Sequence, residues 1–532
     1  MLISSLLSGV LYFLSFPPFG YWYLIFPALW IFFGAVLRSK KSFLSGFIFG
    51  SVSYGVILFG IQSIGYEAWI PLTILMGLMY GVFGKTLSYF GFKTDNNFFI
   101  LVAVISVFDL IRAYFPFGGF PWGYPSTVLI DFIQQPFKIF GPIGFSLVIQ
   151  SIVLSLVLNF ITSFKNKKYE YDRQSFLRGR NILVFLLIMS FVYEIGFAAE
   201  GEVRKGDVEQ GDIEISIIQG NSPCPGAKNR CENERQRIYE SHLNLTKSLS
   251  KEQLFTYEAL EEELIKPRLI VWPESSSGFG NDPGISAKTL DEISQEVKRL
   301  NASFLIGGDR PVDSSYFENY GIYIDEKGKI AGEYLKQHPV PFGEYIPFRK
   351  YLDWIPPLSL VPRDMIRGNG QEIFSIGKNN IKISSVISFE GSFERYIRRS
   401  VQEGAEVIVI LTNQASYGES GMSDQFILMS RANAVSNHRD IVHAAITGKS
   451  AFISGFDGKV YSSTELFTNA VSTRRLIAYT NSTPYSLWGN YLNYIMIAIG
   501  FIIYSFPKTK TSIWNNQHIQ NHSFSSNDER AK

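Results

Sequence analysis

Residues 1–200 are almost continuously apolar, whereas roughly 205–475 have the mixed composition of a soluble domain. The mean hydropathy of +0.09 averages these two unlike regions. A chain so divided is an integral membrane protein with one large soluble domain. A hydrocarbon core of about 30 Å takes about 20 apolar residues as a helix. Eight apolar segments occur, near 1–16, 20–37, 43–63, 69–91, 97–115, 142–163, 181–199 and 484–506. The expected organisation is a transmembrane domain of seven helices over 1–204, a soluble domain over 205–478, an eighth transmembrane helix over 479–508 and a polar tail over 509–532. The first segment has no basic residue before Arg38 and no small-residue cleavage site, which favours a span over a signal peptide.

Basic residues in the short loops set the orientation. Arg38, Lys40 and Lys41 follow the second segment and Lys93 the fourth. Lys165, Lys167, Lys168, Arg173, Arg178 and Arg180 follow the sixth, and Lys508 and Lys510 the eighth. The alternate loops at 17–19 and 64–68 carry none, and 116–141 only Lys138. With a cytoplasmic N-terminus every basic loop lies inside, and the soluble domain faces outward. Its compartment is then oxidising, so Cys224 and Cys231 are expected to close a small disulfide loop, with two free thiols as the alternative. A net charge of +2 gives no electrostatic basis for binding nucleic acid.

In the soluble region, β-rich runs at 213–220, 268–274, 302–309, 320–325, 381–390, 405–413, 441–447 and 450–456 flank helical patterns at 287–300 and 423–438. Near-continuous apolar strands alternating with helices predict an α/β layered domain. No GxGxxG or P-loop occurs, and no cofactor or metal is expected. Ionisable groups gather where strands run out. Glu274 ends "LIVWPE", Lys336 and Glu344 bracket "KQHPVPFGE", and Ser388-Phe389-Glu390 ends "SSVISFE". A lone strand-end carboxylate is ordinarily a solvated group. Three with a lysine and a hydroxyl, at the strand ends where α/β sheets bind ligands, point to a site.

These stretches resemble the apolipoprotein N-acyltransferases. "LSFPPFGYWYLIFPAL" near the N-terminus and "GGFPWGYP" (118–125) are similar to the family's membrane part. "QGN" (219–221), "VWPES" (271–275), "YLKQHPVPFGEYIP" (334–347), "TNQASYG" (412–418), "SRANAVSNHRDIV" (430–442) and "TGKSAFI" (447–453) follow the family's order. The resemblance covers nearly the whole chain. It implies eight transmembrane helices plus a nitrilase-like αββα sandwich, in a bacterial inner membrane with the domain in the periplasm. It also implies transfer of a fatty acyl chain from a phospholipid to the N-terminal amine of a diacylglyceryl-cysteine lipoprotein, through a covalent acyl-enzyme. By resemblance Glu274 is the general base, Lys336 the oxyanion-stabilising cation and Ser388 the nucleophile. Glu344, Phe389 and Glu390 are supporting residues.

The family has a cysteine where this chain has Ser388. A thiol with a pKa near 8.5 holds a reserve of thiolate at neutral pH, whereas a serine depends wholly on its base. An acyl-serine is also an ordinary ester, less ready than a thioester to acylate an amine. Other departures are Gln414 for an acid, Ser416 for a tryptophan, Ser436 for a glutamate, Asp440 for a proline and His443 for an arginine. Three functions therefore stand: acyl transfer through Ser388, an inactive paralogue that binds lipid or lipoprotein, and a membrane-tethered amidase. Elsewhere, Asp109 and Arg112 are expected to pair at i and i+3 on one helix face. His338 is read as structural, and the aromatic loop at 115–137 as a lipid border or an interfacial belt.

Overall fold

The computed structural model describes residues 1–93, 98–163, 212–222, 232–250, 267–278, 280–352 and 354–505. The seventh apolar segment at 181–199, both cysteines, the basic loops at 165–180 and 508–510, and the polar tail lie outside these residues. The membrane base is built from α1 (Leu2–Leu14), α2 (Ile25–Arg38), α3 (Ser42–Ile57), α4 (Tyr66–Lys93), α5 (Phe98–Tyr114), α6 (Gln135–Ser163) and the helix Tyr491–Ser505. Stretches Tyr66–Gly91 and Gln135–Ile161 are long and apolar enough to cross a membrane, while Leu2–Leu14, Trp22–Arg38, Ser42–Ile57 and Tyr491–Ser505 are shorter apolar helices. α6 begins earlier than its apolar segment and bends at Gly141, whose φ is 67°. Aromatic packing holds the bundle: Phe83 stacks on Phe108 at 4.1 Å, and Phe32 lies tilted against Phe49 at 4.3 Å.

Asp109 and Arg112 do not pair as expected. Both face the bundle interior, but Asp109 accepts from Gln150 Nε2 at 2.7 Å. Arg112 donates to the Tyr80 hydroxyl at 2.6 Å and the Trp122 carbonyl at 2.8 Å, with its guanidinium over the Tyr124 ring. The long arginine side chain reaches past its helix neighbour to the acceptors of the outer loop, which it pins to the bundle.

The soluble domain is an αββα sandwich. One sheet has the order β13 (Ala470–Ile477), β1 (Asp212–Gln219), β2 (Arg268–Gly278), β3 (Ser303–Pro311), β4 (Tyr316–Ile324), β5 (Ile330–Leu335), with the short β6 (Asp364–Met365) on β4. The other has the order β12 (Val460–Ser463), β11 (Ala451–Ile453), β10 (Asp440–Ala445), β9 (Val407–Thr412), β8 (Ile381–Ile387), β7 (Ile373–Ile376). Strand alternation sorts their side chains. Ile213, Ile215, Ile217, Val407, Val409 and Leu411 fill the space between the sheets. Ile218, Ile270 and Phe304 face outward onto helices Glu232–Ser248 and Ala287–Leu300.

The outer face of the second sheet is covered by helix Met422–Asn437, which is itself covered by the membrane base. Ile408 and Ile410 thus join one continuous core with Trp122, Leu129 and Phe137. Of the 16 residues in that helix only Asp424 and Arg431 escape burial. These two form ion pairs, Asp424 with Lys449 at 2.6 Å and Arg431 with Asp131. A helix wetted on neither face buries its polar residues too, and Ser423, Gln425, Ser430 and Asn433 each find a hydrogen-bond partner.

Polar contacts fix the docking. Gln425 Oε1 accepts from Trp122 Nε1 at 2.6 Å, and its Nε2 donates to the carbonyls of Pro17 at 2.8 Å and Ile57 at 3.1 Å. Arg395 donates to the Ala113 and Gly118 carbonyls at 2.7 and 2.8 Å. Gln425 therefore joins two loops and the end of α3 to the domain. Gln425→Leu strands the buried indole N–H and two carbonyls, so we expect a loss of about 2–4 kcal/mol. Thermal unfolding in detergent will show a lower midpoint, and limited proteolysis will cleave the domain from its base sooner.

Candidate active site

The site lies where strands of both sheets end above the membrane base. Glu274 is not at a strand terminus, as its sequence position suggests. β2 runs on to Gly278, and its pairing with β3 slips between Trp272 and Ser277. Such a bulge re-aims the side chains on it, and here the bulged residues include Glu274. The partner strand accommodates it at Gly307, where a Cβ would stand 2.5 Å from the Pro273 carbonyl oxygen. Glu274 is 4% exposed. Its Oε1 accepts from Asn319 Nδ2 at 2.8 Å and from Lys336 Nζ at 3.4 Å, and its Oε2 from the Asn413 main-chain N–H at 2.7 Å.

Lys336 follows β5 and is fully buried. It also donates to Glu344 Oε1 at 2.6 Å, and Glu344 Oε2 accepts from the Val340 N–H at 2.8 Å, closing the intervening loop on itself. Burial opposes the Lys336 charge, but Glu344 and Glu274 outweigh it and hold the ammonium's pKa above its ordinary value. Burial raises the Glu274 carboxyl above the usual carboxylate range; Lys336 works against that rise and Glu344 adds to it. The lysine is therefore the fixed cation and Glu274 the group with enhanced basicity.

Ser388 stands at the end of β8, half-buried, where the chain turns abruptly into a 3₁₀ turn over Ser388–Ser392. Its φ is 55°, a left-handed conformation that is strained for a residue with a Cβ. Strain of this kind persists only where the surroundings enforce it. Glu390 does so. Its Oε2 accepts from the Ile387 N–H and the Tyr334 hydroxyl, both at 2.8 Å, and its Oε1 from the N–H groups of Gln337 at 2.5 Å and His338 at 2.8 Å. One buried carboxylate thus staples the serine turn to the residues that follow Lys336. Burial lifts its pKa, while the Ile387 N–H and then Lys336 act in the opposite direction. Phe389 packs between this turn and the membrane part, 5.8 Å from Phe120 and 4.8 Å from Phe393.

All six site residues expected from the sequence fall in this region. Glu274, Lys336 and Glu344 form one hydrogen-bonded cluster, and Glu390 attaches Ser388 and Phe389 beside it. The hydrogen bonds of Glu274 go to Asn319, Lys336 and Asn413, none to Ser388. His338 occupies an aromatic box of Phe389, Phe393 and Tyr396. Burial, then Arg395 and Lys336, lower its pKa to about 3, so it is neutral and supplies structure and a main-chain N–H. The aromatic loop is a seat for the domain, with Trp122 and Tyr124 buried, while Phe115 and Phe117 remain exposed. Sequence reasoning missed Asn319, Tyr334 and Tyr417. An asparagine inside the apolar strand "YFENYGIYI" was the available signal, since strands are depleted in that residue. Burial, then the Glu274 charge, raise the Tyr417 hydroxyl, which lies in the field of the same cluster.

Residues 217–485, about half of the chain, match the carbon-nitrogen hydrolases, and residues 8–155 match the apolipoprotein N-acyltransferase N-terminal domain. The chain belongs to the apolipoprotein N-acyltransferase family, within the carbon-nitrogen hydrolases. It is 26% identical to an apolipoprotein N-acyltransferase of Aquifex aeolicus over 85% of this chain and 93% of that one. It is 25% identical to one of Geobacter metallireducens over 96% of both chains. Among solved structures, an amidase from Nesterenkonia sp. is similar over 51% of this chain and 93% of its own, with 12% identity and a TM-score of 0.34.

Glu390→Gln leaves one acceptor oxygen for four donors and turns an amide NH₂ toward some of them. We expect a loss of about 2–3 kcal/mol in stability. We also expect a fall of about a hundredfold in turnover, as the serine turn loses its register with Lys336. Denaturation and steady-state rates on the same preparation will show both.

Proposed function

We propose that the protein transfers a fatty acyl chain from a phospholipid to the N-terminal amine of a diacylglyceryl-cysteine lipoprotein, by way of an acyl ester on Ser388. The observation that favours this most is the Glu390 bracket, which ties the strained Ser388 turn to the residues that follow Lys336, a charged lysine paired with a desolvated glutamate. Ser388 Oγ attacks the ester carbonyl as Glu274 takes its proton. Lys336 Nζ, held cationic by Glu344, stabilises the oxyanion. Collapse breaks the acyl–oxygen bond, and Glu274 returns the proton to the departing lysophospholipid hydroxyl. The lipoprotein amine then attacks the acyl-serine, Glu274 accepts the amine proton, and the serine oxygen leaves with it as a hydroxyl.

Two features compensate for the missing thiol. Desolvation makes Glu274 a stronger base than an ordinary carboxylate, and the positive-φ turn leaves Ser388 half-buried at the end of β8 while its neighbours Phe389 and Glu390 are buried. A neutral Lys336 acting as base has no support, because two carboxylates stabilise its ammonium form. The reading includes eight membrane-crossing helices in a bacterial inner membrane with the domain on the periplasmic side. It draws on the loop-charge pattern, the apolar helices of the base and the family's architecture. No cofactor enters the scheme.

The test uses purified protein in phospholipid micelles with a diacylated lipopeptide acceptor. Native protein is expected to N-acylate the acceptor, Ser388→Ala to be inactive and Ser388→Cys to be faster than native. Because a raised Glu274 must be ionised to act, kcat/KM will fall on the acid side with a midpoint above the ordinary glutamate value of about 4.3. Activity retained in Ser388→Ala contradicts the serine mechanism. Silence from both native protein and Ser388→Cys contradicts acyl transfer.

A further inference from the structure

Glu274 Oε2 has one partner that the reaction scheme does not explain, the main-chain N–H of Asn413 at 2.7 Å. The residue after it is anchored in a way that nothing in the core demands. We infer that Gln414 is a positioning residue for Glu274, locked by Ser423 and His443 so that the adjacent Asn413 N–H stays aimed at the carboxylate. This rests on the reading of Glu274 as the base.

Gln414 Oε1 accepts from the Ser423 hydroxyl at 2.6 Å, and its Nε2 meets His443 Nε2 at 2.8 Å. On the far side of the ring, Nδ1 lies 3.1 Å from the Ser430 hydroxyl. All four side chains are at most 1% exposed. With Ser423 donating to the amide oxygen, the amide nitrogen faces the ring, so His443 Nε2 accepts and Nδ1 carries the proton toward Ser430. Burial lowers the His443 pKa to about 3, and no charged group acts on it, so the lock keeps one protonation state over any working pH. The segment 446–450 closes over the amide. A Cβ on Gly448 would stand 2.0 Å from Gln414 Oε1, so a larger residue there would break the lock.

The chain around Gln414 has a second anchor on the membrane base. The turn Ala415–Tyr417 leads to Ser420 and Gly421, where Gly421 abuts Pro18 and Ser420 abuts Gly60. The peptide that offers its N–H to Glu274 is therefore held from the core by the Gln414 lock and from the base by this loop. The N–H favours the carboxylate form of Glu274. Loosening it raises the glutamate's pKa, while the other groups that face Glu274, namely Lys336, Glu344, Asn319 and Tyr417, stay in place.

The test compares native protein with Ser423→Ala, His443→Leu and His443→Gln. Ser423→Ala removes a single hydroxyl and keeps the fold testable even where His443→Leu destabilises the core. Two readouts are taken: the pH profile of acyl transfer, and the titration of the Glu274 carboxyl by infrared difference spectra with Glu274→Gln as reference. Ser423→Ala and His443→Leu are expected to lower kcat about tenfold with KM unchanged, and to move the acid limb and the infrared titration upward. His443→Gln offers a carbonyl oxygen to the Gln414 amide and is expected to restore both. An unmoved Glu274 titration in Ser423→Ala and His443→Leu, whatever the change in melting temperature, overturns the inference. If native protein transfers no acyl chain, the proposed reaction fails while the infrared titration still decides the role of Gln414.

Discussion

The Glu390 carboxylate is the interaction on which the site depends. A buried carboxylate without partners is costly. This one is made tolerable by four donors, and the donors come from two segments far apart in the chain. Satisfying the charge therefore forces the end of β8 against the residues after β5. The strained φ of Ser388 is a consequence of that closure, and so is the short path from the serine turn to Lys336. Lys336 in turn is buried only because Glu274 and Glu344 neutralise it. Three acids and one lysine form a network in which removing any member leaves a buried charge or buried donors unpaired.

The second constraint is the covering of the sandwich. In a free-standing αββα sandwich the outer helices meet water. Here helix Met422–Asn437 meets the membrane base instead, and a single apolar core runs from the second sheet into the helix bundle. The serine turn lies on the same boundary, with Phe389 against Phe120 and His338 against Gly118. A site in that position suits a substrate whose acyl chains remain in the bilayer while its ester rises to the strand ends. The docking through Gln425, Arg395 and the loop after Asn413 fixes the serine turn relative to the helix base.

Much of this was legible in the sequence. The runs at 213–220, 381–390 and 441–447 fall on β1, β8 and β10 within a residue or a few, and the helical patterns at 287–300 and 423–438 fall on their helices. Fully buried strands announce themselves as apolar runs. The elements that escaped notice are half-wetted or short. β13 carries Arg474 and Arg475 on a partly exposed edge, β5 contains Gly332 and Glu333, and helix Glu394–Gln402 is mostly charged and polar. In the site, Glu274, Lys336, Glu344 and Glu390 stood out because charges in apolar surroundings are conspicuous, whereas Ser388 and Phe389 were marked by the family resemblance. Asn319 was marked only by being an asparagine within a strand, and Tyr334 and the Asn413 N–H by nothing, since their role comes from a bulge in β2 and from contacts between sheets. The expected Asp109–Arg112 pair failed for a related reason. Helical spacing brought the two residues to one face, but the loop carbonyls offered Arg112 better acceptors.

The central claim is that a serine does the work expected of a cysteine, and the most direct measurement is the chemistry of the intermediate. Native protein would be incubated with an alkyne-tagged phospholipid without acceptor, quenched, and digested for mass spectrometry before and after neutral hydroxylamine. The account predicts an acyl group on Ser388 that survives hydroxylamine, as an oxygen ester should, and that disappears when a diacylated lipopeptide is added before the quench. A label on any other residue, or none on Ser388 while the acceptor is being acylated, would contradict it.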